Sequence, residues 1–411
     1  MHDPAHIDLA ILGARPKAVA ALLRYFRDLD TAEEAFQEAC LRALQTWPDK
    51  GPPRDPTAWL IMVGRNAALD GKRRNRSNEP LPDADAFADT RDDLTPERLD
   101  EGHYGDDILR LLFVCGQPTL PATQQIALAL RVVSGLTAEQ IAKAFLVSAV
   151  AMEQRITRAK RAIAQVGIEF DTPGAAERRA RLEAVSTMIY LIFNEGYGST
   201  PDTAEARGVL ADEAIRLGRL LLSLFPADPE VFGLLALMLL QQSRAPARFD
   251  ANGEIVLLDE QDRSRWNRTL IDEGRLLLER ASVYRSPGPY QLQAAIAALH
   301  ARATRPEDTL WREIDSLYQV LEALRPSPVV TLNRAVAVWK LHGAEAALQM
   351  IEPLRGELDA YFYMHGLRGT LLKALQRPDE AREALNRAIA LANSAAEAKH
   401  IRRELDSLSI A

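Results

Sequence analysis

The sequence predicts an all-α protein built from more than one domain. Three observations carry this. Nearly every long segment repeats its apolar residues at helical period, alternating strand patterns are almost absent, and proline or glycine breakers fall between the periodic segments. The best strand candidate, Glu254-Ile-Val-Leu-Leu258, is short and isolated. A length of 411 residues exceeds one ordinary domain and suits two or three. With 47% apolar and 26% charged residues the chain is globular, which excludes disorder throughout. The 22 glycines and 23 prolines carry no period, which excludes a collagen-like chain.

The elements follow in order. Residues 7–77 form a first helical block. Leu22, Leu23 and Phe26 give one apolar stripe, and a second helix is expected from about Asp30 to Trp47, with Ala35, Phe36, Ala39, Cys40, Ala43 and Leu44 inward. Its start, Asp30-Thr-Ala-Glu-Glu34, offers a cap and acids at the positive helix end. The loop from Pro48 to Pro56 is rich in breakers. Helix resumes at Thr57 and ends in Lys72-Arg73-Arg74-Asn75-Arg76; five basic residues and one acid lie between Arg65 and Arg76. Gly71 is expected to fray that basic end, at about 1 kcal/mol relative to alanine.

Residues 79–107 carry eleven acids against two arginines, a local charge of −9, interrupted by Pro80, Pro82 and Pro96. This reads as an acidic, solvated linker. Residues 108–170 are compact and helical again. From 176 to 411 the chain is a run of amphipathic helices with breakers at the joints. Its last part repeats itself at an offset of 34: Ala335 matches Gly369, Val338 matches Leu372, Leu341 matches Leu375, Ala347 matches Ala381 and Ile351 matches Leu385. That period, with small and large apolar positions in register, is the tetratricopeptide (TPR) signature in degenerate form. Asn194-Glu-Gly-Tyr-Gly198 reads as a tight turn after an apolar helix.

Catalytic and metal signatures are missing. The seven histidines are scattered, no Cys/His cluster or phosphate loop occurs, and the reading is no enzyme, no metal and no cofactor. Cys40 and Cys115 sit in apolar surroundings and read as small buried hydrophobes of a reducing cytoplasm. The N-terminus lacks a signal-peptide pattern, and the longest uncharged apolar run, Val231 to Leu240, falls short of the ~18 residues needed to span a membrane.

A nucleic-acid signal lies in residues 120–164. A helix broken at Gly135 is followed by Thr137-Ala-Glu-Gln140, a capping box, then by the turn Leu146-Val-Ser148 and a longer helix. Met152, Ile156, Ala159 and Ile163 give that helix an apolar face. Glu153, Gln154, Arg155, Thr157, Arg158, Lys160 and Arg161 form the other face. This is a helix-turn-helix, whose cations can neutralise phosphates or bond guanine. The first block adds Trp59 with Arg65, Asn66, Lys72, Arg73 and Arg74; an aromatic face beside cations suits single-stranded DNA, although Trp59 reads equally as core. The net charge of −7 argues against coating nucleic acid without a partner.

These motifs, in this order, resemble a bacterial sigma factor of the extracytoplasmic-function (ECF) type. Asp30-Thr-Ala-Glu-Glu34, Gln37-Glu38 and Leu41-Arg-Ala43 look like the polymerase-binding helix of region 2. Thr57-Ala-Trp-Leu60, Arg65-Asn66, Asp70 and Arg73-Arg74 look like the segment that melts and reads the −10 element. Leu136 to Ala142, Val147-Ser148, Arg155 and Arg158-Ala-Lys-Arg161 look like the region 4 reader of the −35 element. Tyr190 to Tyr197, Pro289 to Leu299 and Pro328 to Ala337 look like hallmark stretches of the subfamily with a TPR-like extension. The resemblance implies region 2 over 1–78, region 4 over 108–170 and a regulatory extension over 176–411.

It also implies core RNA polymerase and promoter DNA as partners, with no membrane. The extension would bind a protein or fold back on the two regions. Core contacts would come from Asp30, Glu33, Glu34, Phe36, Gln37 and Leu41; −10 contacts from Arg54, Trp59, Arg65, Asn66, Lys72, Arg73 and Arg74; and −35 contacts from Ser148 and the outer face of 153–161. Glu153 is acidic where many relatives are basic, so the −35 sequence does not follow from the family. The rival readings are a stand-alone helix-turn-helix regulator with a TPR sensor, and a scaffold without a DNA role.

Overall fold

The computed structural model describes residues 4–74, 101–117, 119–145, 147–166, 175–198, 204–392 and 394–408. Among them every regular element is helical. The segment 254–258, the best strand candidate in the sequence, contributes only a single antiparallel bridge between Phe249 and Ile255. The chain divides into two compact units, residues 1–192 and 193–411.

The first unit begins with three helices, α1 (Pro4–Phe26), α2 (Leu29–Lys50) and α3 (Pro56–Arg74). Leu22, Leu23, Phe36, Ala39, Trp47 and Leu60 form their buried core. The cap of α2 is Asp28, whose carboxylate accepts from the Thr31 amide at 2.8 Å. The helix therefore starts earlier than expected. It runs through Pro48 and stops at Gly51, where φ is +77°. Gly64 lets α3 lie on the backbone of α2: a Cβ there would sit 2.6 Å from the Ala35 carbonyl oxygen. Gly71 does not end α3, which continues to Arg74.

The next helix, α4 (Glu101–Cys115), begins inside the segment expected to be linker. Its Asp107 is buried and ion-paired with Arg24 of α1 at 3.4 Å and with Arg110 at 3.2 Å. By composition Asp107 belongs to the solvated acidic stretch; its burial comes from a partner distant in sequence, Arg24. Then follow α5 (Ala122–Val132), α6 (Ala138–Ala144), α7 (Ala149–Val166) and α8 (Ala175–Tyr197). Although 176 was the expected start of the extension, α8 up to residue 192 belongs to the first unit. Arg181 stacks over the Phe113 ring at 5.8 Å, and Val185 packs at Gly116. The turn expected at 194–198 is also later than predicted, because α8 carries on to Tyr197.

The second unit stacks α9 (Ala204–Leu224), α10 (Pro229–Gln242), α11 (Arg268–Ser282), α12 (Pro289–Arg302), α13 (Trp311–Leu324), α14 (Pro328–His342), α15 (Ala344–Ile351), α16 (Phe362–Ala374), α17 (Pro378–Leu391) and α18 (Ala395–Ser407). Prolines open α10, α12, α14 and α17, where the missing amide costs no hydrogen bond. The apolar run from Val231 to Leu240 is buried on all sides within α10. The 34-residue echo is real in three dimensions. It maps α14–α15 onto α16–α17, and Ala335, Ala347, Ile351, Leu372, Ala381 and Leu385 are all buried. At Gly369 a Cβ would come within 2.6 Å of Leu385 Cδ2, so the small position sets how closely the paired helices approach.

Candidate nucleic-acid interface

The helix-turn-helix forms as its sequence dictates. Thr137 Oγ1 accepts from the Gln140 amide at 3.1 Å and Gln140 returns its side-chain oxygen to the Thr137 amide at 2.8 Å. Ser148 caps α7 through the Ala151 amide at 3.2 Å. Met152, Ile156, Ala159 and Ile163 are buried. On the opposite face Glu153, Gln154, Thr157, Arg158 and Arg161 are exposed, while Arg155 and Lys160 are half-buried. The Thr157 hydroxyl donates to the Glu153 carbonyl at 2.8 Å.

On α2 the expected polymerase-facing residues separate into two sets. Asp30, Glu34, Gln37 and Leu41 are exposed and fall at i, i+4, i+7 and i+11, one continuous stripe. Glu33 and Phe36, expected on the same surface, are buried. Phe36 is core and carries the Arg15 guanidinium 5.0 Å over its ring. Helical period explains this: positions 33 and 36 face inward with Leu29, Ala32 and Ala39.

Glu33 is only 3% exposed. A buried carboxylate needs partners, and it has two from other helices. Arg15 of α1 lies 3.4 Å away and Lys160 of α7 lies 2.5 Å away. Lys160 also donates to Asp30 at 2.7 Å. Burial lowers the Lys160 ammonium, but Glu33 and Asp30 more than offset this, so its pKa lies above the ordinary lysine value. Arg15 extends the network: its Nε donates to the Val132 carbonyl at 3.1 Å and its Nη2 to the Arg131 carbonyl at 3.0 Å. Those carbonyls form the last turn of α5, where a cation meets the negative helix end. Gly135, with φ +77°, leaves room for the arginine, since a Cβ there would fall 2.8 Å from Arg15 Cδ.

Arg15 and Lys160 therefore bolt the helix-turn-helix to the three-helix block. Sequence reading missed Arg15. Its signal was a lone cation within an otherwise apolar helical stripe, flanked by Ala14 and Pro16.

In the first block Arg54 is exposed and Trp59 is half-buried, tilted against Trp47 with ring centroids 5.2 Å apart. Arg65 lies 5.7 Å over the Tyr25 ring, and Asn66 is half-buried beside it. Lys72, Arg73 and Arg74 occupy the last turn of α3; their side chains lie outside the described residues.

Both cysteines are unpaired. Burial pushes the Cys40 thiol up to about 11, and Cys115 higher still, so neither is an activated nucleophile. No cluster of metal-ligating side chains occurs among the described residues, and none of their helices is long and apolar enough to cross a membrane.

Comparison with known proteins matches residues 13–78 to sigma-70 region 2, residues 118–163 to sigma-70 region 4, and residues 181–282 to a family of unknown function, DUF6596. An uncharacterized protein of Rhizobium meliloti is 62% identical over 411 residues, covering all of this chain and 97% of its own length. The crystal structure of yeast Tom70 aligns with a TM-score of 0.37 at 13% identity, over 98% of this chain and 85% of its own.

Proposed function

We propose, for a chain that belongs to the sigma-70 family through its ECF-type regions 2 and 4, that it directs core RNA polymerase to specific promoters under the control of its C-terminal helical repeats. The family places the chain in transcription initiation. The observation that carries the finer reading is the pair of surfaces on one unit. The exposed stripe Asp30, Glu34, Gln37 and Leu41 faces polymerase, and Gln154, Arg155, Thr157, Arg158 and Arg161 read the −35 duplex. Arg54, Trp59, Arg65, Asn66, Lys72, Arg73 and Arg74 take the −10 strand, with Trp59 and Arg65 offering a ring and a guanidinium for stacking.

The charge network adds a condition. Lys160 belongs to the DNA-reading face and Asp30 to the polymerase-facing stripe, and here they neutralise each other. Two promoter elements separated along one duplex require regions 2 and 4 to stand apart. The arrangement described is therefore the closed form, and engagement breaks the Lys160 pairs. The control exerted by the repeats acts on this opening.

The test is transcription in vitro with the full chain, core polymerase and the promoter upstream of its own gene. Specific initiation is expected. Leu41→Glu is expected to abolish co-purification with core, and Arg158→Ala to lower −35-dependent transcription while core binding stays intact. Sequence-specific duplex binding with no affinity for core would instead identify a stand-alone regulator.

A further inference from the structure

The repeat unit holds a cluster of cations that promoter recognition does not use. Arg263 stands in a 3-10 turn (Arg263–Arg265) and is 5% exposed. Its Nη1 donates to the carbonyls of His300 at 2.8 Å and Ala303 at 2.7 Å, and its Nη2 reaches the Thr309 hydroxyl at 3.4 Å. Its Nε is buried and donates to nothing. The guanidinium lies 5.2 Å over the ring of Trp266, itself 3% exposed, whose indole N–H is likewise unpartnered.

Arg244 gives Nη2 to the Tyr197 hydroxyl at 3.2 Å and keeps a buried Nε without an acceptor. The His300 ring meets Trp311 edge-on at 5.4 Å, and its Nδ1 is buried and unpartnered. Arg244 and Arg263 are close enough for their charge to act on His300. Burial first, and these two cations next, hold the imidazole at about 4, so it is neutral at pH 7.

The acids nearby are taken. Asp259 pairs with Lys340 at 2.7 Å, while Asp308 and Glu307 pair with Arg305 at 2.9 and 3.5 Å. Arg248, stacked 4.0 Å over the Tyr197 ring, adds a further positive charge next to Arg244.

We propose that Arg244, Arg263, Trp266 and His300 form a binding site for a small oxyanion, a phosphate or carboxylate group. Each unmade buried donor is costly, by roughly 1–3 kcal/mol. Arg263 lies against Trp266 and bonds the His300 carbonyl, and the charge of Arg244 acts on His300, so an acceptor with several lone pairs is the partner that answers this group of donors. Asp259, Asp308 and Glu307 act on Arg263 but are shared with Lys340 and Arg305; a neutral acceptor would satisfy the N–H groups and add no negative charge, whereas an oxyanion does both. Neutral His300 contributes as its Nδ1–H tautomer. The site lies wholly within the repeat unit, and it stands or falls independently of the promoter reading.

The experiment uses the full-length chain at pH 7 and follows tryptophan fluorescence and calorimetric heat. Sodium phosphate and sodium succinate are titrated separately, with ionic strength held constant by sodium chloride. Saturable binding of one of them is expected, and which one binds identifies the source of the oxyanion. Arg244→Gln and His300→Gln are each expected to weaken it tenfold or more. Arg219→Gln, which removes an exposed ion pair to Glu273, leaves it unchanged. Arg263 is left intact because it also ties three acceptors together, and circular dichroism checks that each variant is folded. No saturable signal with either anion overturns the proposal, and so does binding that both Arg244→Gln and His300→Gln leave unchanged.

Discussion

Arg15 and Lys160 in the first unit, and Arg244 and Arg263 in the second, are cations held away from water on quite different terms. The first pair closes on a buried carboxylate, Glu33, with Asp30 at the rim. Among the described residues the second pair makes no ion pair; it meets carbonyls, a tyrosine hydroxyl and ring faces, and keeps N–H groups unspent. A cation matched by an acid from another helix is a bolt that can be drawn when a better partner arrives. Cations without such an acid hold a standing positive potential suited to receiving one.

The largest effect is expected where the unmatched cation also builds the fold. Arg263→Met strips the His300 and Ala303 carbonyls and the Thr309 hydroxyl of their donor, at a cost of about 3 kcal/mol. Urea denaturation of the repeat unit's transition reads this directly. A loss below 1 kcal/mol would mean that Arg263 is held by its surroundings rather than holding them.

The pH dependence of the same cluster comes next. The folded pKa of His300 lies at about 4, below its ordinary 6.5. The unfolded chain therefore binds the proton first as pH falls. The stability contribution is full above 6.5 and is lost between 6.5 and 4, by on the order of 3 kcal/mol. The charged groups facing the ring are Arg244, Arg263 and Asp259. Denaturation midpoints measured across that window should fall less steeply for His300→Gln than for the wild type. Parallel slopes would detach His300 from the cluster.

In the first unit, Glu33→Gln turns the matched case into an unmatched one. Arg15 and Lys160 would face a neutral amide, costing about 2 kcal/mol. The closed arrangement should loosen, which energy transfer between dyes on α2 and α7 would report as a longer distance. A double-mutant cycle with Lys160→Ala isolates the coupling. A coupling near zero would show that the two regions are held by apolar packing instead.

Much of this architecture is legible in the sequence, because it rests on local patterning. The capping box at Thr137, the apolar face of α7, the acids at the start of α2 and the 34-residue echo all depend on neighbours within one or two helical turns, or on a repeat of them. What was not legible depends on partners far away in the chain. Glu33 looked like surface because the sequence does not reveal that Arg15 and Lys160 come to meet it. Asp107 looked like linker for the same reason, with Arg24 as its unseen partner. Trp59 read as core or as a stacking face, and its half-buried position against Trp47 leaves room for both. The basic cluster of the repeat unit was invisible because Arg244, Arg263 and His300 are scattered over 57 positions and gather only when α12 packs beside α10.

The smallest effect on stability, and the finest discrimination, is expected on the outer face of α7. Arg158 is exposed, so Arg158→Ala should change stability by less than about 0.5 kcal/mol. On −35 duplex bound with core polymerase, however, it should weaken affinity and lower the salt slope by about 1, as one lost phosphate contact does. Lys160→Ala makes the contrasting case on the same helix. It removes a cation from the proposed DNA face and, at the same moment, the ion pairs to Glu33 and Asp30 that tie this face to α2, so its two effects on DNA binding are expected to oppose each other. The salt slope should fall as it does for Arg158→Ala, while the affinity at low salt falls less. Equal losses of affinity for both variants would mean that opening costs nothing, and that Lys160 and Glu33 merely touch in a chain whose two regions already move freely.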